Sequence, residues 1–403
     1  MARSNFITGI DIGSGGIKVL AVSKSKKDSD PEVLGFVQTP SLGIRKGTVI
    51  NVGEAAHSIK NALEKFQNLT GERVDSAIIN LSGSHIFITP SRGVVVVSRA
   101  DQKISREDIE RVIQAAQTFS LPSNKEILDV LPREFIIDGE KGIKEPLGLQ
   151  GVRLEVEILA LGGFAPYIKN TSSSVLNSGL QISDILISPL ASSRSILDTR
   201  QKELGVALLD IGAETTGLAV FEEGDLVHAA VFPVGSGHIT NDIAIGLKTD
   251  IDTAEKVKIE YGSCFWKGSK KKERVKKIGG EEPITFSLKM LGNIIDARVS
   301  EIFDLTTKEL KKISRNGKLP AGVVLTGGGA KLPRIVDFAK KDFKLPCQVG
   351  YPTGVSGIEK DPSLATLCGL VLRGTDLEGG TTTPSFSGGA FSKIGKLFRN
   401  FIP

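Results

Sequence analysis

Asp11-Ile-Gly-Ser-Gly-Gly-Ile-Lys18 and Asp210-Ile-Gly-Ala-Glu-Thr-Thr-Gly217 write one pattern twice. An apolar run, Phe6 to Ile10 or Gly205 to Leu209, meets an aspartate and then a turn of small residues. A second strand-like run follows each turn, Ile17–Val22 and Gly217–Phe221. A third ends near a proline, at Val33–Pro40 and Leu226–Pro233. Turns of this kind offer backbone N–H donors to phosphate oxygens, and the aspartates can orient a hydrated divalent metal. Two such units suit a nucleotide held between two halves of a molecule.

At 403 residues the chain exceeds the usual size of a single core, so two or more domains are expected. An apolar content of 40% and a charged content of 24% place it in the globular class. A net charge of +5 is too small to argue for nucleic acid, and no nucleic-acid partner is expected. Cys264, Cys347 and Cys368 have no CxxC spacing and read as core thiols, not as a disulfide frame or zinc site. Met1–Phe6 has no long apolar stretch after its basic residue, which predicts no signal peptide, and no window is apolar enough to span a bilayer. A cytoplasmic protein with at most peripheral membrane contact is expected.

Between the paired turns, Gly53–Leu69 carries Ala56, Ile59, Leu63 and Phe66 at helical spacing, and Ser76–Leu81 reads as a buried strand. From about Ser84 to 162 the pattern changes to α+β. Val94–Val97 is a β-branched run, and Ser105-Arg-Glu-Asp108 opens a helix to about Phe119. Strands are expected at Ile127–Asp138 and Arg153–Leu161, around a loop at Gly139–Gly151. A helix near Tyr167–Gly179, a strand Ile182–Ile187 and a helix from Pro189 follow. After the second turn come helices at Ile239–Ile245, Thr253–Tyr261 and Ile294–Ile313. The basic stretch Lys267–Lys277 reads either as a contact for an anionic partner or as a solvated hairpin edge. Gly322–Ala330 is a strand running into Gly327-Gly-Gly329, then a helix Arg334–Phe343 and a closing helix Leu364–Leu372. Glycine is needed where backbone approaches a ligand with no Cβ between them, so this third turn is expected beneath a ribose or base.

The order of these parts resembles the actin and heat-shock-chaperone ATPase superfamily and, more narrowly, the bacterial FtsA family of cell-division proteins. The narrower resemblance rests on Asp11–Lys18, Pro132-Arg-Glu-Phe-Ile-Ile-Asp-Gly139 with Gly142-Ile-Lys144, and Ile187-Ser-Pro-Leu-Ala-Ser-Ser193. It also rests on Leu209-Asp-Ile-Gly212, Val234-Gly-Ser-Gly237 with Thr240–Gly246, Ala254-Glu-Lys-Val-Lys258, Leu325-Thr-Gly-Gly-Gly329 and the C-terminal segment. It implies an α/β, actin-like two-domain core of duplicated mixed sheets, with an inserted α+β subdomain and a C-terminal amphipathic helix. The implied divisions are subdomain 1A at 1–83 and 163–197, 1C at 84–162, 2A at 198–237 and 300–374, and 2B at 238–299. A linker at 375–390 and a membrane-targeting helix at 391–403 complete them.

The resemblance implies ATP and Mg²⁺ as cofactors. Lys18 would neutralise the β- and γ-phosphates, and Asp11 and Asp210 would hold Mg²⁺ through water. Ser14, Gly15, Gly16, Ala213, Thr215 and Thr216 would donate to phosphates, with Gly235 beside them. Gly328 and Gly329 would face the ribose, and Glu255 and Lys258 the base. Chaperones of the superfamily resemble one another in an Asn-Glu-Pro run that brings a carboxylate near the attacking water, where this chain has Ile187-Ser188-Pro189. Serine is no effective base at neutral pH, so ATP binding with slow hydrolysis at most is expected, and no catalytic residue is assigned.

The composition from Thr375 to Gly389 supports little burial and predicts a flexible linker. Beyond it Phe391, Ile394, Leu397, Phe398, Phe401 and Ile402 recur at steps of three and four, with Lys393, Lys396 and Arg399 off that stripe. Such a helix is too short to span but suits the surface of an anionic membrane. The resemblance then implies a homopolymer on the cytoplasmic face of the membrane at the division site. It would tether the FtsZ ring there, bind the C-terminal peptide of FtsZ through 238–299, and recruit downstream division proteins. Two other functions fit the same core. A sugar or acetate kinase needs a base for which the sequence offers no obvious candidate. A pilus-assembly adaptor needs no basic amphipathic tail.

Overall fold

The computed structural model describes residues 6–23, 29–119, 121–266, 272–276 and 283–379. These described residues divide into one unit within 6–84 and 170–375 and a second within 85–169 and 376–379.

The first unit contains two five-stranded sheets of the same plan. One has the order Gln181–Ile187, Ser76–Leu81, Phe6–Gly13, Gly16–Ser23, Val33–Thr39. Its last three strands form an antiparallel meander and its first two run parallel to Phe6–Gly13. The other repeats this as Asp225–Phe232, Thr216–Glu222, Val206–Ile211, Gly322–Thr326, Cys347–Val349, read from the meander side. The central strands are buried along nearly their whole length because apolar cores lie on both faces. In the first sheet Phe6, Ile10 and Ile12 meet Ile59, Ala62 and Phe66 of the helix Val52–Thr70, which Asn51 caps and Gly71 ends in a left-handed conformation. Ile7, Leu20 and Val22 turn to the opposite face, against Leu367, Leu370 and Val371.

Those last residues belong to the helix Ala365–Gly379, which lies against the helix Ser188–Ile196 without space for side chains between them. A Cβ on Gly369 would stand 1.7 Å from the Ala191 carbonyl oxygen, and one on Gly217 would stand 2.8 Å from Pro189 Cγ. The pseudo-repeat therefore breaks at one register position. Asp11 pairs across its strand with Lys18, whereas Asp210 pairs with Gly217, where Pro189 occupies the space a side chain would need.

The second unit has an antiparallel sheet in the order Phe87–Val96, Arg153–Phe164, Lys125–Ile137, Glu140–Ile143. Its helix Arg106–Gln117 packs on Gly93, where a Cβ would fall 2.2 Å from the Val112 carbonyl oxygen. Ser105 and Asp108 form a reciprocal capping box. Burial would raise the pKa of Asp108. Hydrogen bonds from the Ser105 N–H and hydroxyl, Arg111 and Ser98 outweigh it and hold the carboxyl well below the usual carboxylate range. Asp108→Asn is expected to destabilise this helix by about 1–3 kcal/mol, read as faster amide exchange over 98–117. Because the folded pKa is depressed, the contribution is complete above the unfolded value of about 3.9 and is lost as the pH falls toward the folded one. An exchange difference between variant and wild type that survives full acidification would refute this account.

Four sequence expectations are corrected. The loop expected at Gly139–Gly151 contains the strand Glu140–Ile143, and the helix expected at Ile294–Ile313 runs over Leu288–Lys312, because Leu288 and Leu291 already face the core. The closing helix continues to Gly379, so 375–379 are helical and not linker. The helix Thr199–Leu204 and strand Cys347–Val349 were not expected, being too short to show a period. Part of the basic stretch, Lys272–Lys276, is one strand of a hairpin with Pro283–Ser287. The segment 380–390 and the tail residues Phe391 to Ile402 lie outside the described residues. Among the described residues no helix is long and apolar enough to cross a membrane.

Candidate functional site

Within the first unit both aspartate turns open on one cavity of about 570 Å³, inside the range of pockets that hold small molecules. Its wall includes Asp11, Ser14, Gly15, Gly16, Lys18, Asp210, Ala213, Thr215, Glu255, Lys258, Gly328 and Gly329. The sequence assigned each of these a place at a site.

The turns approach each other closely. A Cβ on Gly15 would lie 2.9 Å from Ala213 Cβ, and the Ser82 and Thr215 hydroxyls are 3.3 Å apart. The hairpin Ile44–Val49 crosses beside both. The Gly47 N–H donates to Ser14 Oγ at 2.9 Å and the Lys46 N–H to Glu214 Oε2 at 2.5 Å. Ser14 thus accepts through its hydroxyl oxygen and keeps its proton for another partner.

Lys18 is only 14% exposed, with its ammonium 3.6 Å from Asp11 Oδ2 and donating to the Ser363 carbonyl at 2.5 Å. Asp11 also accepts from Asn80 Nδ2 at 2.7 Å, and Asp210 from the Thr366 hydroxyl at 3.0 Å. Burial pushes the Asp210 carboxyl up to about 6, opposed by the Thr366 hydrogen bond and reinforced by the charge of Asp11. A divalent cation between the two carboxylates would reverse that shift. Among the described residues no group of three or more His, Cys, Asp and Glu is placed to hold a metal. An ion held by these two carboxylates would have to complete its shell with oxygens from outside this pair, as hydrated Mg²⁺ does.

Behind the third turn, Gly327 has φ 82° and a Cβ there would fall 2.4 Å from Asp210 Oδ1. Gly328 faces open space, its nearest neighbour being Ser363 Cβ at 3.9 Å, whereas Gly329 packs on Ile211. At the far end Lys258 donates to Thr240 Oγ1 at 2.8 Å and meets Glu255 Oε2 at 2.6 Å, while the Thr240 hydroxyl also donates to Glu255. Glu255 and Lys258 therefore form a fixed triad with Thr240, and Ile259 beside them supplies an apolar wall.

Two assigned residues fall outside the lining. Thr216 is fully buried and its hydroxyl donates to the Val234 carbonyl at 2.8 Å, which leaves no proton for a phosphate. Gly235 caps the helix Ser236–Leu247 beneath the second turn, where a Cβ would meet the Gly212 carbonyl oxygen at 2.6 Å. Its glycine is required by packing. Sequence reasoning missed Asn80, Glu214, Ser363 and Thr366, all in the wall. Of these Glu214 lay inside the second aspartate turn itself, and Asn80 showed as an amide inside the apolar run Ser76–Leu81. Ser188 also lines the cavity, donating to the Leu81 carbonyl at 3.1 Å and accepting from Asn80 at 3.0 Å.

Duplicated mixed sheets around a glycine-walled cleft define an actin-like fold. In agreement, the chain superposes on the PilM-PilN type IV pilus biogenesis complex with a TM-score of 0.66 at 18% identity, covering 92% of this chain and 98% of that one. It superposes on MreB5 of Spiroplasma citri bound to ADP with a TM-score of 0.55 at 14% identity, covering 98% and 99%. The sequence profile of cell division protein FtsA matches residues 207–369, and that of the SHS2 domain inserted in FtsA matches 83–161. The cell division protein FtsA of Pseudomonas aeruginosa is 35% identical over 96% of this chain and 93% of its own length. The chain belongs to the FtsA family of cell-division proteins.

Proposed function

We propose that the cavity binds ATP with Mg²⁺, and that the bound nucleotide sets the shape of a subunit that polymerises on the cytoplasmic face of the cell membrane and ties the FtsZ ring to it. The observation carrying this reading is the convergence of two aspartate turns, Lys18 and a third glycine turn on a single cavity. Lys18 would face the β- and γ-phosphates, the amides of Ser14 to Gly16 and of Ala213 and Thr215 their oxygens, and Gly328 the ribose. The Glu255–Lys258–Thr240 triad and Ile259 would border the base. Asp11 and Asp210 would hold the metal through water, and the metal would supply charge neutralisation at the phosphates.

Hydrolysis is expected to be slow. The only proton of Ser188 is committed to the Leu81 carbonyl, and its hydroxyl is far too weak a base to take one from water. Turnover at the rate of a chaperone or sugar kinase would refute this.

The subdomain divisions at 83/84, 162/163, 197/198, 237/238 and 299/300 are part of the same proposal. So are head-to-tail contacts through the inserted block and binding of the FtsZ peptide at 238–299. The latter is supported by an open groove along Met290, Asn293, Ile294 and Ala297, and by exposed Ile245 next to Gly246, which packs on Ile294. Anchoring is supported by the stripe Phe391, Ile394, Leu397, Phe398, Phe401 and Ile402 with Lys393, Lys396 and Arg399. Single anchors of this length hold reversibly and a polymer holds by avidity. Removing residues 391–403 is expected to leave ATP binding unchanged and abolish co-sedimentation with anionic liposomes. Sedimentation at the wild-type level would sink the anchor.

A further inference from the structure

Asn80 is 3% exposed, inside a strand whose other core-facing residues are apolar. Its side-chain oxygen accepts the Ile12 N–H at 2.7 Å. Its amide donates to Asp11 Oδ1 at 2.7 Å and to Ser188 Oγ at 3.0 Å. The amide orientation follows from its partners. A flipped side chain would set NH₂ against the Ile12 N–H and its oxygen against the Asp11 carboxylate, both repulsive. Since Ser188 accepts from Asn80, its own proton goes to Leu81. The hydrogen bonds thus run in one direction from Ile12 through Asn80 to Asp11 and Ser188.

The second half of the repeat lacks this device. Thr326, in register with Asp210, sends its hydroxyl to the Pro362 and Gly350 carbonyls, and Asp210 takes its hydrogen bond from Thr366 on the closing helix. Asp11 alone is oriented by the neighbouring strand of its own sheet. Among the described residues no other group hydrogen-bonds to Asp11 Oδ1, so without Asn80 the carboxylate would be free to rotate toward the Lys18 ammonium, 3.6 Å from its other oxygen. That rotation would tighten the existing ion pair and take the carboxylate out of the orientation that Asn80 fixes.

We propose that Asn80 is a positioning residue for divalent-metal binding, holding one Asp11 oxygen away from Lys18 and toward the cavity. The assignment rests on the nucleotide reading of the site. Removing a group that orients a metal-holding carboxylate typically weakens metal affinity by about ten- to a hundred-fold.

The test uses the full chain, a fluorescent ATP analogue and a Mg²⁺ titration, comparing wild type with Asn80→Ala and with Asn80→Leu, which fills the same space without donors. In both variants the Mg²⁺ concentration at half-maximal binding is expected to rise about ten-fold or more. Metal-free affinity, measured in chelator, is expected to stay within about two-fold, since the phosphate donors are untouched. An unchanged Mg²⁺ midpoint with weaker metal-free binding would overturn the assignment and leave Asn80 a packing residue. So would loss of folding in both variants, judged by nucleotide-free thermal melts. A wild type that binds no nucleotide, or binds it without regard to Mg²⁺, would instead overturn the site reading and this inference with it.

Discussion

Gly369→Ala is expected to destabilise the protein by about 3 kcal/mol or more, while Gly53→Ala is expected to be neutral or to stabilise it by up to about 1 kcal/mol. Both glycines lie inside helices, and helix propensity alone predicts the same gain at each. Packing separates them. At Gly53 the added carbon meets nothing nearer than Asn51 Oδ1 at 3.6 Å. At Gly369 it would lie 1.7 Å from the Ala191 carbonyl oxygen, and a backbone atom cannot swing aside as the end of a side chain can. The helices Ser188–Ile196 and Ala365–Gly379 must therefore separate, and each carries a wall of the cavity, through Ser188 and Thr366. Parallel thermal melts check the pair, with nucleotide binding as a second readout for the Gly369 variant. Equal melting temperatures in the two variants would show that the close approach does not constrain these helices.

The second large effect concerns Lys18. Lys18→Ala is expected to weaken ATP binding by about 2–5 kcal/mol, roughly thirty-fold to a few thousand-fold in Kd. The ammonium is set between Asp11 and the Ser363 carbonyl, at the end of the cavity where the two aspartate turns meet. With it gone, a phosphate chain would face Asp11, Asp210 and Glu214 without the cation that stands between the two aspartate turns, Lys258 and Lys331 lining other parts of the wall. Lys18→Arg should recover only part of the affinity, because the longer planar group cannot occupy the space between Asp11 and Ser363 in the same way. The nucleotide-free melting temperature is expected to move little, which distinguishes a ligand contact from a structural one. Wild-type affinity in Lys18→Ala would remove Lys18 from the site.

What the sequence disclosed, and what it hid, follows from the range of the forces involved. The aspartate turns are local: an apolar strand, a carboxylate and residues small enough for a tight reversal sit side by side, so both are legible at once. Doubling of the motif disclosed the duplicated sheets. Thr216 misled because its neighbour Thr215 has the same composition. Thr215 closes the turn and lines the cavity, whereas Thr216 opens the strand and sends its hydroxyl to the Val234 carbonyl. Gly235 misled because a glycine required by close packing reads like one required by a ligand. Ser363 and Thr366 were hidden altogether. Ser363 reaches Lys18 across 345 positions of sequence, and nothing in its own surroundings marks the meeting. Thr375–Gly379 shows the converse error: a Gly/Thr-rich composition read as a tether continues a helix begun by the apolar residues before it.

Cys264, Cys347 and Cys368 are all free and buried. Burial raises each thiol, Cys347 to about 11 and Cys368 to about 12. The reactive thiolate is therefore scarce at neutral pH, and a reagent must wait for the protein to open before it can react. Cys368 lies two residues beyond Thr366 and one before Gly369, packed among Leu20, Leu367 and Val371. The rate at which it is alkylated is expected to report opening of the core beneath the closing helix, whether local or global. It needs no added label, and nucleotide should slow it.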